Sequence, residues 1–435
     1  MNSPAARWPT KRLRFLTAIP QKREIVGVPD ETEVSFVPME AIGENGQIET
    51  SRTKAIAEVR NGYSYFAEGD VVLAKITPCF ENGKGAIATH LVNGVGFGTT
   101  ELHVIRAGPG LDTRFLFYVT KSHPFRKQGE AEMYGAGGQK RIPESFVRDF
   151  RVHAPGLDEQ RTIADFLDRE TARVGDLIAK KQRLIVLLQN QQEGLVSQIV
   201  TGQDVSVPKR YSGYAWLGDV PSHWNVLPLK RIAKRVVVGI AEASTHAYSD
   251  DGIPLIRSAN IKPNKLDAQQ LLKIEPWFAN KNKSKTVLGD DLLTVRSGVN
   301  YGDTAVVPTR LAGSQCFTLL VTSLKLGNVP RYFSYYLNSD INRDYFGQEA
   351  WGAAQANLSV PILQMTPVPV PPPSEQARIV HELDRGLKDI EYLRVSLEET
   401  ERHLRLLRSA LISAAVTGQI DVRNYRPQEA AALCR

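Results

Sequence analysis

The chain has 435 residues, of which 42% are hydrophobic, 23% charged and 8% aromatic, an ordinary balance for a folded protein that excludes disordered, collagen-like and disulfide-scaffold classes. Lys and Arg number 54 against 47 Asp and Glu, and the net charge of +7 permits a polyanionic partner without requiring one. No apolar run approaches the roughly 18 residues that span a bilayer, Met1–Glu24 is too densely charged for a signal peptide, and Cys79, Cys316 and Cys434 lack metal-ligand spacing, so a reducing, cytoplasmic setting with no membrane and no metal is expected.

In chain order, residues 1–155 read as a first domain, 156–203 as a long helix, 204–371 as a connector and second domain, 372–421 as a second long helix, and 422–435 as a tail. The first domain is rich in Gly, Pro and short β-type runs such as Gly69-Asp-Val-Val-Leu-Ala-Lys-Ile. The helix after it places Ile163, Leu167, Val174, Leu177, Leu184, Leu188 and Leu195 on one apolar seam, interrupted by Glu170 and Lys181. The second domain carries Gly289-Asp-Asp-Leu-Leu-Thr-Val-Arg, a counterpart of the first run. The last helix repeats Leu383, Ile390, Leu397, Leu404 and Leu411 every seven residues. Asp158 and Ser374 are expected N-caps, and Gly202 and Gly418 are expected helix stops. About 42 residues at 1.5 Å each make a rod of roughly 60 Å.

The two rods are copies of one another. Sliding the chain by 216 residues places Pro155, Glu159, Gln160, Ile163, Leu167, Asp168 and Arg169 on Pro371, Glu375, Gln376, Ile379, Leu383, Asp384 and Arg385. The same shift carries Leu177, Leu188, Leu195, Ser197 and Val200-Thr-Gly-Gln203 onto Leu393, Leu404, Leu411, Ser413 and Val416-Thr-Gly-Gln419 without a gap. A narrow seam on so long a rod cannot be buried by a small globule alone, so each helix is expected to pair with the other. The pair should be antiparallel, because a whole domain separates them. The fold class is therefore α+β: two α/β heads alternating with two long antiparallel coiled-coil helices.

Charge tests what such heads hold. The first rod is neutral and the second carries minus one, so of the net +7 the heads and connectors carry +8. Cationic heads gain affinity for duplex DNA by counterion release, while polar side chains on base edges read sequence. Candidate reading loops combine Gly with such side chains. In the first head these give Lys75, Thr77, Asn82 and Lys84, then Gln139, Lys140 and Arg141. In the second they give Arg257, Asn260, Arg296, Asn300, Tyr301, Gln355 and Asn357, with Gln139 and Gln355 in register under the 216-residue shift.

Several motifs carry a family resemblance. Tyr211-Ser-Gly-Tyr-Ala-Trp-Leu-Gly-Asp-Val-Pro-Ser-His-Trp224 with Leu229-Lys-Arg-Ile232 resembles the linker opening the second half of the specificity subunit of Type I restriction-modification systems. Lys75-Ile-Thr-Pro-Cys-Phe-Glu-Asn-Gly-Lys84, Gly96-Phe-Gly-Thr-Thr-Glu101, the Pro-x-x-x-Glu-Gln helix starts and the Val-Thr-Gly-Gln helix ends are similar to that family too. The resemblance implies a non-catalytic DNA-reading subunit whose two target-recognition domains each read half of a bipartite, asymmetric site. It implies helices that act as spacer and as docking surface for two modification subunits. Those partners, not this chain, would carry S-adenosylmethionine, and restriction subunits with ATP-driven translocase and nuclease activity are an optional addition. Trp216 and Trp224 are expected to pack against a head.

The residues of an independent enzyme are not assembled in the sequence. Gly94-Val-Gly-Phe-Gly98 lacks the strand-loop-helix setting and later acidic residue of a cofactor loop. Asp70, Glu81 and Lys84 lack the acidic-x-Lys spacing of a nuclease, and Ser122-His-Pro-Phe125 lacks the polar first residue and proline pair of an amino-methyltransferase. The alternative reading is a coiled-coil scaffold that binds proteins without DNA specificity; it leaves two dissimilar cationic heads unexplained.

Overall fold

A computed structural model describes residues 8–136, 138–349 and 357–423. The chain divides into two compact units, residues 1–182 with 397–435 and residues 183–396. The long helices, Leu157–Thr201 and Pro373–Val416, each contribute one part to either unit.

In the first unit the head is built on two small sheets. One is antiparallel, in the order Thr17–Ala18, Leu102–Ala107, Val71–Ala74, Gly85–Ile87. The other runs Thr53–Ala55, Glu33–Val37, Val95–Gly98, Ser64–Ala67, with its central pair parallel. Side chains of a strand alternate between faces, and here both faces are covered. Val71 and Leu73 point to a core shared with Phe115, Leu116, Ile163, Leu167 and Leu411, whereas Val72 joins Val37, Phe66 and Leu102 between the sheets. This explains why Val71–Ala74 reads as a continuous apolar run rather than an alternating one. Gly96 and Gly98 serve packing: a Cβ on Gly96 would stand 2.2 Å from the Phe66 ring, so the bare backbone admits the ring.

The second unit repeats the plan. An antiparallel sheet runs Ala233–Val238, Leu320–Leu324, Leu292–Thr294, Thr304–Val306. A second sheet contains the parallel pair Ile253–Ile256 with Gln315–Cys316. Leu292 again faces the helices and Leu293 the space between sheets. Each head anchors its central strand on a buried aspartate. Asp70 accepts from the Ala67 amide and pairs with Arg106 at 2.6 Å; Asp291 accepts from the Leu288 amide and pairs with Arg235 at 2.9 Å. Asp70 is thus structural, not part of a nuclease trio.

The 216-residue equivalence extends beyond the helices. Thr10 pairs with His153 as Val226 pairs with Pro369, and Trp8 stands at the position of Trp224. Trp224 is buried and donates its indole N–H to Glu375 at 3.1 Å, while Trp216 stacks on Tyr345 with centroids 4.9 Å apart.

Both units contain an antiparallel helix pair. In the first, Gln182 Nε2 donates to Glu401 Oε1 at 2.9 Å, and Ile163, Phe166 and Leu167 share a core with Leu411, Ile412 and Ala415. In the second, Leu195 Cδ2 lies 3.6 Å from the Cβ position of Gly386, and Val196, Ile199 and Val200 share a core with Ile379 and Leu383. Ile163, Leu167, Leu383 and Leu411 are buried; Leu188, Leu195, Ile390, Leu397 and Leu404 are half-buried. Leu177 is 39% exposed and leaves the expected seam, as do Leu184 and Leu393, because the buried stripe passes from Val174 to Ile178. Asp158 and Ser374 lie inside the first helical turns instead of capping them. Gly202 and Gly418 adopt φ of +71° and +66°, and the following amides, Gln203 and Gln419, each donate at 2.8 Å to the carbonyl five residues back.

Candidate nucleic-acid interface

In each head, the connection between the last two strands of the antiparallel sheet carries candidate reading residues. In the first it runs from Lys75 to Lys84, after Val71–Ala74 and before Gly85–Ile87; in the second it runs from Val295 to Asp303, after Leu292–Thr294 and before Thr304–Val306. A segment from far along the chain closes on each. The Ile142 amide donates to the Lys75 carbonyl at 2.9 Å, and the Leu358 amide donates to the Arg296 carbonyl at 2.8 Å. Bridges join Ile76 with Arg141 and Ser297 with Asn357. Two of the loop groups chosen separately in each head thus form one composite loop at one topological position.

Several predicted residues are committed to building that loop. Thr77 Oγ1 donates to the Gly138 carbonyl at 2.7 Å and accepts from the Lys140 amide at 3.0 Å. Arg141 forks onto Glu101 through contacts of 2.8 to 3.2 Å, which holds the Glu101 carboxyl below its ordinary range. Lys84 Nζ donates to the Met39 carbonyl at 3.3 Å. In the second head Arg296 Nε donates to Asn357 Oδ1 at 2.9 Å, and Tyr301 Oη to the Phe346 carbonyl at 2.7 Å. Thr77, Lys84, Arg141 and Tyr301, like Arg296 and Asn357, thus also shape the loop from within: a turn that leaves the sheet must satisfy its polar groups internally.

The groups left facing outward are fewer. Asn82, Gln139, Lys140 and Asn357 are exposed, Lys75 and Asn300 half-buried, and Gln355 and Gly137 lie outside the described residues. Arg257 and Asn260 follow Ile253–Ile256 in the other sheet. Asn260 is buried and its Oδ1 accepts from the Arg257 amide at 3.0 Å, and no hydrogen bond among the described residues joins either to the Arg296–Tyr301 loop.

A cleft of about 720 Å³ adjoins the composite loop of the first head, lined by Lys75 and Arg141 together with Lys22, Arg23, Tyr63 and Tyr134. Sequence reasoning missed the last four; alternation of basic and aromatic residues was their only signal, spread over more than 100 residues of chain. His103 also lines it, its imidazole held below its ordinary pKa chiefly by burial, with its Nε2 3.0 Å from the Ile142 carbonyl. In the second head the missed residue is Val299, fully exposed at the loop tip between Arg296 and Asn300. A loop that presents amides, ammonium groups and an apolar tip can contact phosphates, base edges and a thymine methyl. Among the described residues no group of three or more potential metal ligands is found, and no helix is long and apolar enough to cross a membrane.

The profile described as "Type I restriction modification DNA specificity domain" matches residues 8–185 and 221–401. The specificity subunit of the Escherichia coli Type I restriction enzyme EcoAI is 45% identical over 139 residues, 31% of this chain and 23% of that protein. The EcoEI specificity subunit of the same species is 41% identical over 158 residues, 36% of this chain and 26% of that protein. The chain thus matches about a quarter of the length of these two relatives. In structure, a chain described under complex assembly and conformational transition of the type I R-M system aligns over 97% of this chain and 100% of its own, with a TM-score of 0.70 and 19% identity. The HsdS subunit from Thermoanaerobacter tengcongensis aligns over 97% and 99%, with a TM-score of 0.55 and 18% identity. At these identities the likeness is one of fold.

Proposed function

We propose, from the premise that this chain belongs to the Type I restriction-modification DNA specificity domain family, that it is the DNA-reading subunit of such a system. Each head reads one half of a bipartite target in double-stranded DNA. The heads differ in their loops, so the half-sites differ and the whole target is asymmetric. Two helices unbroken over 45 and 44 residues set an unread gap of constant length and offer the surface on which two modification subunits dock. The chain itself is non-catalytic and binds no cofactor. The modification subunits supply S-adenosylmethionine and the methyl transfer, restriction subunits join them for cleavage, and the complex works in the cytoplasm.

One observation supports this most: both heads form the same composite loop, Lys75–Lys84 with Gly138–Arg141 and Val295–Asp303 with Asn357–Leu358, with different side chains outward. A common frame with divergent tips is what two readers of different half-sites require. Gln139, Lys140, Asn82 and Lys75 do the reading and phosphate gripping in the first head; Asn300, Val299, Asn357 and Arg296 do so in the second. The test is co-expression with a Type I modification subunit followed by genome-wide mapping of methylated adenine. A single bipartite, non-palindromic motif with one gap length is expected, and absence of any motif with the partner bound would leave a protein-binding scaffold as the better reading.

A further inference from the structure

Where the first head meets the helices of its own unit, Lys121, Arg126 and Arg408 line a cavity of about 160 Å³, with Asn45, Asn82 and Glu44 at its wall. The three cations form no salt bridge among the described residues. Lys121 Nζ is capped by carbonyls, those of Glu44 at 3.1 Å and Gly85 at 2.9 Å and that of Gly83. Arg408 Nη1 donates to Asn45 Oδ1 and Arg126 Nη2 to the Glu81 carbonyl. Arg126 Nε is buried with no hydrogen-bond partner. A buried guanidinium N–H without an acceptor is rare in folded proteins, and like charges gathered in a partly dry space repel unless an anion joins them.

The second unit supplies an internal control. Counting along the helices from Arg114 and Arg331, the counterpart of Arg126 is Arg343, and it is matched by Asp303 at 2.6 Å. The counterpart of Lys121 is the neutral Asn338, which donates to the Thr304 carbonyl at 2.8 Å. Asp303 stands immediately before the strand Thr304–Val306; in the first unit the residue at that place, before Gly85–Ile87, is Lys84. The 216-residue shift puts Gln192 opposite Arg408. So where one unit carries a balanced Arg–Asp pair, the other carries cations at the matching positions, with Glu44 the acidic residue at the cavity wall.

We propose that this cavity is a binding site for a phosphate group, held by the Arg408 guanidinium, with Arg126 and Lys121 contributing charge. A small cavity of this volume admits one tetrahedral oxyanion and nothing of nucleotide size. Its walls come from the head (Asn45, Asn82, Lys121) and from the long helices (Thr171, Arg408, Ser409), so the anion fastens the first head to its helices. The proposal is independent of DNA reading, because a free phosphate ion satisfies it; a backbone phosphodiester is the other source of the same chemistry.

The test is calorimetric titration of the full chain with inorganic phosphate, in chloride buffers of constant ionic strength, beside thermal melts. Saturable binding is expected, and at about tenfold excess over Kd the melting temperature of the first unit rises by roughly 3–6 °C. Arg126→Gln and Arg408→Gln should each weaken phosphate binding by about tenfold or more, and Arg408→Lys, which keeps the charge, should retain part of it if the glutamine variant fails to fold. Should free phosphate not bind, a duplex-binding series over salt decides the source: a log–log slope smaller by about one in Arg408→Gln assigns a DNA phosphodiester to the cavity. No phosphate binding together with an unchanged slope overturns the proposal and leaves ordered water as the acceptor for Arg126.

Discussion

Tyr118 Oη donates to Asp168 Oδ1 at 2.7 Å, tying a helix of the first head to the first long helix, with Arg114 Nη1 on the other oxygen at 2.7 Å. The second unit builds the same clamp from Asp384, which accepts from Tyr335 Oη and from Arg331 Nε at 2.8 Å. Burial raises both phenols above their ordinary pKa, so each remains a donor at neutral pH. The Arg-x-x-x-Tyr spacing places both donors on one helix face. This is why the aspartate is retained at the same place in two otherwise divergent halves.

Removing one hydrogen bond of such a clamp should cost about 1–3 kcal/mol. Tyr118→Phe and Asp168→Asn are each expected to lower the urea midpoint of unfolding, and the double variant should lose less than the sum of the two. A double-mutant cycle measures that coupling. Additive losses would mean that the tyrosine and the aspartate act separately.

Gln160 and Gln376 carry a second shared clamp, fully buried in both units. Gln160 Oε1 accepts from the Asp112 amide at 2.8 Å while its Nε2 donates to the Pro155 carbonyl at 2.8 Å; Gln376 does the same with the Val329 amide at 2.8 Å and the Pro371 carbonyl at 2.9 Å. Both ends of the side chain are in use, so Gln160→Leu orphans a buried N–H and C=O at once. A loss of roughly 2–4 kcal/mol is expected, against under about 1 for Asp158→Asn on the exposed side of the same turn. Equal melting temperatures for the two variants would contradict the clamp.

The rods and the repeat were legible because period and punctuation are local properties of a helix. The seam misplacements, Leu177 and Leu184, came from reading a straight seven-residue repeat across a helix whose buried stripe drifts. The central strand was legible from Val71-Val-Leu because burial on both faces needs only apolar residues. The clamps were not legible, since Gln160 and Asp168 have meaning only against Asp112 and Tyr118, some 50 residues away. The same limit applied to Thr77, Arg141 and Tyr301. Their side chains have the chemistry of base readers, and only the closing of distant segments reveals the hydrogen bonds they make within the head.

Lys121 should make the first unit sensitive to pH. Burial, with Arg408 and Arg126 opposing the charge and Glu44 favouring it, pushes the ammonium from its ordinary 10.5 down to about 7. The unfolded chain holds that proton up to about pH 10.5 and the folded chain releases it near 7, so the cost of burying the charge is complete below pH 7. It falls away as pH rises above 7, and stability gains at most about 1.4 kcal/mol per pH unit from this group. Urea midpoints in phosphate-free buffer at pH 7 and 9 should therefore rise with pH, and Lys121→Met should flatten the rise. A profile that falls with pH, or one the substitution leaves unchanged, would contradict the assignment.

Gln139 and Lys140 make opposite predictions from adjacent positions. Both side chains are exposed and neither forms a hydrogen bond among the described residues. An amide that reads a base edge contributes only at the cognate base, so Gln139→Ala should lose about 1–3 kcal/mol of discrimination at one position of one half-site and leave the other half-site intact. An ammonium on a phosphate acts without regard to sequence. Lys140→Ala should thus weaken all duplexes alike and reduce the log–log salt slope by about one. Asn300→Ala is the matching test in the second head and should relax the other half-site alone. Binding of the chain with its modification partner to duplexes varied at each position measures all three. If Gln139→Ala and Asn300→Ala relax the same half-site, or neither, the composite loops are not the readers.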